Sequence, residues 1–282
     1  MYPISVFFAT LPPYFTPTVA FLFGVIIGSF LNVYIYRFHT GKSIAGSSHC
    51  LSCQTLLRFY ELFPLISYLG LRGRCLTCSA RIPSRYFWVE LGTALLFLLV
   101  VLVVADPLLW PLLFLLVSVL MIVSVYDLYH FVIPNVFVYV LSVIAIVFGG
   151  YEWYMTGDVW HILESALASL FAFGFFAGLW AYSKGRWIGF GDAKLAVPLA
   201  FMVGLGGVFS MLVLSFWIGT LISLGIILWQ RYGRRGQLRL QLSGRPLTIK
   251  SEVPFAPFMI LGFLAVLFFQ ANVLALFGYV LL

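Results

Sequence analysis

Residues 108–126 read LLWPLLFLLVSVLMIVSVY, a continuous apolar stretch without a charged side chain, and Asp127 follows directly. A helix needs about 20 predominantly apolar residues to cross the hydrocarbon core of a bilayer. The stretch lacks the alternating segments of roughly 10 residues that mark the strands of a membrane β-barrel. It therefore predicts a transmembrane helix.

The composition of the chain extends this prediction to the whole protein. Hydrophobic residues make up 63% of the 282 residues and charged residues 9%, and the mean hydropathy is +1.08. Soluble domains are only about half apolar. We therefore predict an all-α polytopic membrane protein with about eight transmembrane helices. The predicted spans are 17–37, 88–105, 108–126, 132–150, 161–181, 190–207, 208–230 and 258–281.

The distribution of basic residues orients these predicted helices. All 16 Lys and Arg residues lie in three segments, at 37–85, 184–194 and 231–250. The alternate loops carry acidic residues instead, around 106 and 152–158. Loops rich in Lys and Arg stay on the cytoplasmic side of the membrane. We therefore expect the basic loops to be cytoplasmic and both termini of the chain to be external.

The net charge of +7 comes from these basic loops. Lys and Arg beside membrane spans contact anionic lipid headgroups. The loops contain no recognisable nucleic-acid-binding module. We expect contacts with membrane lipids and not with nucleic acid.

Two Cys-x-x-Cys pairs lie in the first basic loop: Cys50 with Cys53, and Cys75 with Cys78. Two such pairs can supply the four thiolates of a tetrahedral Zn²⁺ site, which leaves no open position for catalysis. Four cysteines in an oxidising compartment would favour two disulfides, but thiols stay reduced in the cytoplasm, where this loop is expected. We predict a structural zinc ion, with disulfides or free thiols as the alternatives.

These features divide the chain into three parts. The first predicted span occupies residues 1–37, because the earliest basic residue is Arg37 and no charged segment of a cleavable signal precedes it. A cytoplasmic four-cysteine zinc domain follows at 38–87. A seven-span membrane core occupies 88–282.

The few acidic residues are the candidates for chemistry, because an ionisable group at membrane depth is costly and usually functional. Most of the nine Asp and Glu residues lie in predicted loops. Glu90 and Glu164 lie near span ends, where reaching to the interface explains them. Asp127, at the end of the third span, and Asp192, at the start of the sixth, remain.

Asp127 and Asp192 are predicted to lie at the same inner boundary of the membrane. A carboxylate pair that shares one proton is how aspartic proteases activate water. Asp192 follows Gly189-Phe190-Gly191, where the absence of Cβ atoms would let a substrate backbone approach. Its alternative role is that of a helix N-cap. Asp127 opposes the helix dipole, so its position favours a functional role.

Two other classes of function compete with a protease. A proton-coupled transporter also places acids at membrane depth, but it usually lines a path near the midplane with polar residues. This chain has little polar lining beyond the predicted pair. A zinc-bearing membrane scaffold is the second alternative, and it would tolerate asparagine at positions 127 and 192.

Short motifs follow one another through nearly the whole chain. They are Gly28-Ser29-Phe30-Leu31-Asn32-Val33, Cys50-Leu51-Ser52-Cys53, Pro64-Leu65-Ile66-Ser67-Tyr68-Leu69, Arg72-Gly73-Arg74-Cys75-Leu76-Thr77-Cys78, Arg85-Tyr86, Val89-Glu90-Leu91, Asp127 with Ile133-Pro134, Gly189-Phe190-Gly191-Asp192 and Pro254-Phe255-Ala256-Pro257-Phe258. In this order they resemble the type IV prepilin peptidases, a family of membrane aspartic proteases. Ala256 stands where that family usually has glycine, and His39 where it commonly has proline. Neither difference is expected to affect the aspartates.

The resemblance implies a peptidase of the bacterial cytoplasmic (inner) membrane with Asp127 and Asp192 as its catalytic pair. Its substrates would be prepilins or pseudopilins, from which it removes a short basic leader by cutting after a glycine at the cytoplasmic face. Relatives with the four-cysteine loop are generally bifunctional. The resemblance therefore also implies N-methylation of the new N-terminal residue, with S-adenosyl-L-methionine as methyl donor. It places the donor no more closely than the loop at 38–86.

Overall fold

The computed structural model describes residues 8, 10–38, 46–232, 253–273 and 275. Within them the regular structure is helical, apart from two isolated β-bridges. The elements are α1 (Phe15–Arg37), a 3-10 helix (Phe59–Leu62), α2 (Ile66–Gly70), α3 (Arg85–Val103), α4 (Trp110–His130), α5 (Asn135–Thr156), α6 (Val159–Ser183), α7 (Phe190–Tyr232) and α8 (Ala256–Phe269). His39 and the basic segment 234–250 lie outside the described residues.

The all-helical class is confirmed, but the predicted number of about eight spans was imprecise. In the described part of the chain, six helices are long and apolar enough to cross a membrane: α1 and α3 to α7. Helix α8 is apolar but has 14 residues. It covers only the first part of the predicted span 258–281, and residues beyond 275 lie outside the description.

The sixth and seventh predicted spans are joined in the single helix α7. Its 43 residues would extend roughly 65 Å at 1.5 Å per residue, about twice the thickness of the hydrocarbon core. The backbone departs from helical geometry at Gly204, with φ 64° and ψ −175°. Glycine adopts such a positive φ without steric cost. The break lies close to the predicted division between the two spans.

Tertiary contacts group the chain into two units, residues 1–122 and 123–282, with the boundary inside α4. The division into 1–37, 38–87 and 88–282 was based on sequence motifs and not on contacts, and it stays a prediction. In the first unit α1 packs on α3 through Gly24 and Gly28. A Cβ atom on Gly28 would lie 2.7 Å from the Cα of Glu90. The small-xxx-small spacing lets the two backbones approach closely.

In the second unit, α7 packs against α6 and α8. The Ser169 hydroxyl of α6 donates a hydrogen bond to the Val197 carbonyl of α7, at 3.1 Å. Gly207 of α7 faces Val266 of α8, because a Cβ atom at Gly207 would lie 2.8 Å from its Cγ1. Close approach at small residues and hydrogen bonds between helices are the usual means of packing in a membrane. They hold α6, α7 and α8 together within this unit.

Gly28→Ala should destabilise the first unit, because the added methyl group meets the α3 backbone. Overpacking of this kind costs about 1–3 kcal/mol. We expect a lower thermal unfolding midpoint of the purified protein in detergent. Gly178→Ala is the matched control, because a Cβ atom there has open space. Equal midpoints for the two variants would contradict the close α1–α3 packing.

Candidate active site and metal-ligand cluster

Asp127 lies in the last turn of α4, and its side chain is buried at 5% exposure. Its Oδ2 accepts a hydrogen bond from the backbone N–H of Ala256, at 3.2 Å. Ala256 is the first residue of α8 and is itself fully buried. A buried carboxylate needs such a partner, since burial removes the hydrogen bonds of water.

The side chain at position 256 was not expected to affect the aspartates, and the contact of Ala256 with Asp127 does not depend on that side chain. The contact uses the main-chain amide, which alanine and glycine share. The difference in side chain therefore leaves the donor in place.

Asp192 lies in the first turn of α7 and is buried at 7% exposure. It is the third residue of the helix, so it does not occupy the N-cap position that the sequence left open. Its backbone N–H donates to the Gly189 carbonyl, at 3.2 Å. The carboxylates of Asp192 and Asp127 lie close enough to interact electrostatically. Both belong to the unit 123–282.

Gly191 serves the packing of the chain itself. A Cβ atom at Gly191 would lie 3.3 Å from the Cβ of Ile133, tighter than an ordinary contact. The glycine therefore lets the segment after α4 lie against the start of α7. The absence of a side chain at Gly191 was predicted to admit a substrate backbone, but Ile133 fills that space. This packing holds the Ile133-Pro134 segment beside Asp192.

A second link joins the starts of α5 and α7. The Lys194 ammonium donates to the Asn135 Oδ1, at 3.1 Å. The same ammonium lies 5.1 Å from the centre of the Phe190 ring. The sequence identified Lys194 only as a topology signal, so this contact was missed. Lys194 and Asn135 are 59 positions apart, and no local sequence pattern specifies such a contact.

Gly191→Ala should lower thermal stability and peptidase activity together, because the new methyl group pushes against Ile133. Overpacking of about 1–3 kcal/mol is expected. Ile133→Ala in the same chain removes the opposing side chain and should restore part of the loss. The four forms of a double-mutant cycle, compared by thermal midpoint, measure this coupling. Additive effects of the two substitutions would contradict the contact.

The four predicted cysteine ligands are brought together. The sulfur atoms of Cys50, Cys53, Cys75 and Cys78 all lie within 4.8 Å of one another, and all four are free thiols. The sulfurs of Cys50 and Cys78 are 3.8 Å apart. A tetrahedron with metal–sulfur bonds of ~2.3 Å has sulfur–sulfur edges of roughly 3.8 Å. The cluster therefore has the size and donor set to hold one metal ion.

The same backbone turn presents each cysteine pair. The N–H of Cys50 donates to the Thr55 carbonyl at 3.0 Å, and the N–H of Cys75 donates to the Ala80 carbonyl at 2.9 Å. Each turn is closed by an antiparallel bridge, one between His49 and Leu56, the other between Arg74 and Arg81. Each also has one residue at positive φ, Gln54 or Ser79. The two turns thus present their thiols in the same way.

Hydrogen bonding within the cluster separates the acidities of its thiols. The side chain of Thr55, followed by its backbone, lowers the pKa of Cys53 to about 6. The Ala80 backbone lowers the pKa of Cys78, but the neighbouring sulfurs outweigh it and raise that pKa to about 11. Four thiolates side by side need a cation to neutralise them.

Glu90 is a buried acid whose location was predicted wrongly. It was expected to reach the membrane interface, but it is buried at 7% exposure on α3. Its Oε2 accepts the backbone N–H of Leu65, at 2.8 Å. A usable signal was present, because Glu90, Ala94 and Phe97 share one face of the helix and the latter two belong to the core. Glu164, by contrast, is exposed.

Comparison with known proteins is consistent with both parts of this structure. Residues 22–104 match the model of the bacterial peptidase A24 N-terminal domain. Residues 114–224 match the model of the type IV leader peptidase family. No solved structure matches the chain.

Curated relatives match over most of their length. The type 4 prepilin-like proteins leader peptide-processing enzyme of Escherichia coli O78:H11 is 32% identical over 276 residues, covering 90% of this chain and 94% of the relative. The prepilin leader peptidase/N-methyltransferase of Bacillus subtilis is 31% identical, over 78% of this chain and 87% of its own. The enzyme of that name from Aeromonas hydrophila is 28% identical, covering 90% and 91%.

The helical, multi-pass architecture and these matches define the protein as a membrane peptidase. More narrowly, the chain belongs to the type IV leader peptidase family. The resemblance noted in the sequence motifs is thereby confirmed.

Proposed function

We propose that this protein removes the leader peptide from prepilins or pseudopilins, with Asp127 and Asp192 as its catalytic pair. The observation that carries the proposal is the burial of these two carboxylates within one unit, near enough to interact. The names of its relatives support the substrate class. Two carboxyl groups that can share one proton are what an aspartic protease needs.

The pair works by sharing one proton, since two like charges at short range cannot both ionise readily. The ionised carboxylate takes a proton from a water molecule, whose oxygen attacks the carbonyl carbon of the glycine that precedes the cleaved bond. The protonated carboxyl gives its proton to the leaving amide nitrogen. The Ala256 amide holds Asp127 in place while this happens.

The proposed site of cleavage is the cytoplasmic face of the inner membrane. The basic residues at 37–85, 184–194 and 231–250 favour that side for their loops, with the termini external. Asp127 lies in the last turn of α4, at the end predicted to face the cytoplasm, and Asp192 lies in the first turn of α7, which follows the basic residues Lys184 and Arg186. An apolar pilin helix in the bilayer would present its leader at this depth.

Asp127→Asn and Asp192→Asn should each abolish processing while the fold is kept. Losing a general acid or base costs about 10²–10⁴-fold in rate. The test is coexpression with a prepilin, read as the gel shift between precursor and shortened product. Asp158→Asn is the matched control, because Asp158 caps α6 and asparagine caps equally well. Normal shortening by either catalytic-pair variant would refute the proposed pair.

We further propose that the ion held by the four cysteines is zinc. Four thiolates close a tetrahedral shell, so the ion would be structural. A segment of this size has too small a core to fold alone, and a metal supplies the missing stability. The ion would fix the cysteine turns and, through them, the segment that leads to Leu65.

Cys50→Ser together with Cys75→Ser should remove the zinc and lower the thermal midpoint, because structural zinc contributes folding energy directly. Metal content of the purified protein, measured by mass spectrometry of the elements, checks the first effect. Thr77→Ala lies between two ligands and should keep its zinc. Unchanged zinc in the double variant would contradict the assignment.

Methylation is the second proposed activity. The names of relatives that match over most of this chain include N-methyltransferase, which supports it. When bound, S-adenosyl-L-methionine supplies the methyl group that the new N-terminal amine of the pilin receives. This chain would hold both substrates and bring the amine to the donor.

A further inference from the structure

A short apolar stretch, residues 59–71, lies inside the four-cysteine loop and reads FYELFPLISYLGL. Glu61 is its one charged residue, and the stretch contains the 3-10 helix and α2. An apolar stretch of about 10–14 residues is too short to span a bilayer and belongs either to a protein core or to a membrane interface. The exposure of its side chains distinguishes these two cases.

Four large apolar side chains of this stretch lie outside the core. Phe59 is 75% exposed, Phe63 51%, Ile66 72% and Leu69 63%. We call these four residues the apolar edge. The rings of Phe59 and Phe63 have centroids 6.2 Å apart, and Ile66 and Leu69 lie about one turn apart on the same side of α2. A cluster of exposed apolar side chains marks a surface that binds a membrane or another protein.

The other face of the stretch is turned toward the interior of the unit 1–122. Ser67, Tyr68 and Leu71 line a cavity there, whereas the four residues of the apolar edge do not. The Tyr68 ring also packs on Phe87 of α3, with centroids 5.5 Å apart. One face is therefore held by the protein and the other is left apolar and exposed. Helices that lie in the plane of a membrane bury such a face about 5–10 Å into the boundary between headgroups and acyl chains.

The contact of Leu65 with α3 fixes the depth of the stretch. Its backbone N–H donates to the Oε2 of Glu90, at 2.8 Å, and α3 is one of the helices long and apolar enough to cross a membrane. Trp88 of α3 is 63% exposed, and Glu90 lies two residues further along, about 3 Å deeper into the helix. Tryptophan is enriched where a membrane span meets the headgroups. Leu65 and its neighbour Ile66 therefore lie at the depth where α3 enters the bilayer.

Basic residues flank the stretch on both sides. Arg58 precedes it, Arg72 follows it, and both are exposed. Arginine lays its apolar stem along a hydrophobic surface while its guanidinium stays among polar groups. Each basic residue at a membrane surface adds attraction to anionic lipids. Glu61, the one acidic residue, is turned back onto the chain, because its Oε2 accepts the Arg58 backbone N–H at 2.8 Å.

We propose that the apolar edge inserts into the lipid leaflet on the side of the four-cysteine segment, with Arg58 and Arg72 against its anionic headgroups. The flanking charges and the continuity with exposed Trp88 favour the bilayer over a protein partner. The four-cysteine loop, predicted to be cytoplasmic, is thus anchored in the membrane between α1 and α3 as well as at its two ends. This anchoring is independent of the proposed activities.

The test is photocrosslinking of the full-length protein in nanodiscs that contain equal amounts of phosphatidylglycerol and phosphatidylcholine. The photoreactive residue p-benzoyl-L-phenylalanine replaces Ile66 or Leu69 in separate variants. Irradiation joins it to C–H bonds that it contacts, and mass spectrometry identifies the adducts. Leu76 is the matched control position, because it is 53% exposed and lies between two cysteine ligands. Positions 66 and 69 should each form several-fold more lipid adduct than position 76.

Three results would overturn the insertion. The first is no more lipid adduct at positions 66 and 69 than at position 76. The second is a main adduct with a second copy of this chain, and the third is a main adduct with another protein, since either would identify a different occupant of the edge. Thermal midpoints close to that of the unaltered protein show that the variants are folded.

The same adducts test the headgroup contact. Arg72→Gln, added to the position-69 variant, should lower the ratio of phosphatidylglycerol to phosphatidylcholine adducts by up to about fivefold, the attraction of one basic residue to an anionic surface. Arg81→Gln is the matched control, because Arg81 is an exposed arginine of the second cysteine turn and does not flank the stretch. An unchanged ratio in Arg72→Gln, or an equal change in both variants, would overturn the contact with anionic headgroups.

Discussion

The cost of burying a carboxylate among apolar helices governs how this protein is built. Asp127, Asp192 and Glu90 are each less than a tenth exposed. Water cannot solvate an ion there, so the chain must supply partners. It uses backbone N–H groups for two of them: that of Ala256 for Asp127 and that of Leu65 for Glu90. Both donors lie at or beside the start of a helix, where amides have no partner within the helix.

Features that depend on local sequence were predicted correctly, with one exception. Helices α1 and α3 to α6 were predictable because each is a long apolar run bounded by polar or turn residues. The single α7 was not, because composition does not distinguish two spans from one helix broken at Gly204. Cysteine spacing predicted a cluster of ligands, and the structure brings all four sulfurs together. Continuous apolar runs and the spacing of short motifs were the basis of these predictions.

The contacts that were missed join residues far apart in the chain. Glu90 and Leu65 are separated by 25 positions, and Asp127 and Ala256 by 129. No local pattern specifies such pairs, since the donor is a backbone group that every residue except proline has. Elimination among the acids selected Asp127 and Asp192 as candidates and dismissed Glu90, whose nearness to a helix end suggested solvation. Its place on the buried face of α3 was the overlooked information.

Position 256 donates to Asp127 through its main chain, and this affects how freely the residue at position 256 can change during evolution. A side-chain donor would have to be preserved as a residue type, whereas an amide survives replacement by any residue except proline. Fully buried surroundings at position 256 then limit only the volume of the side chain. Small residues can therefore interchange there without altering the electrostatic environment of the acid. Such neutral drift beside a buried acid is possible because the contact is encoded by the backbone rather than by a side chain.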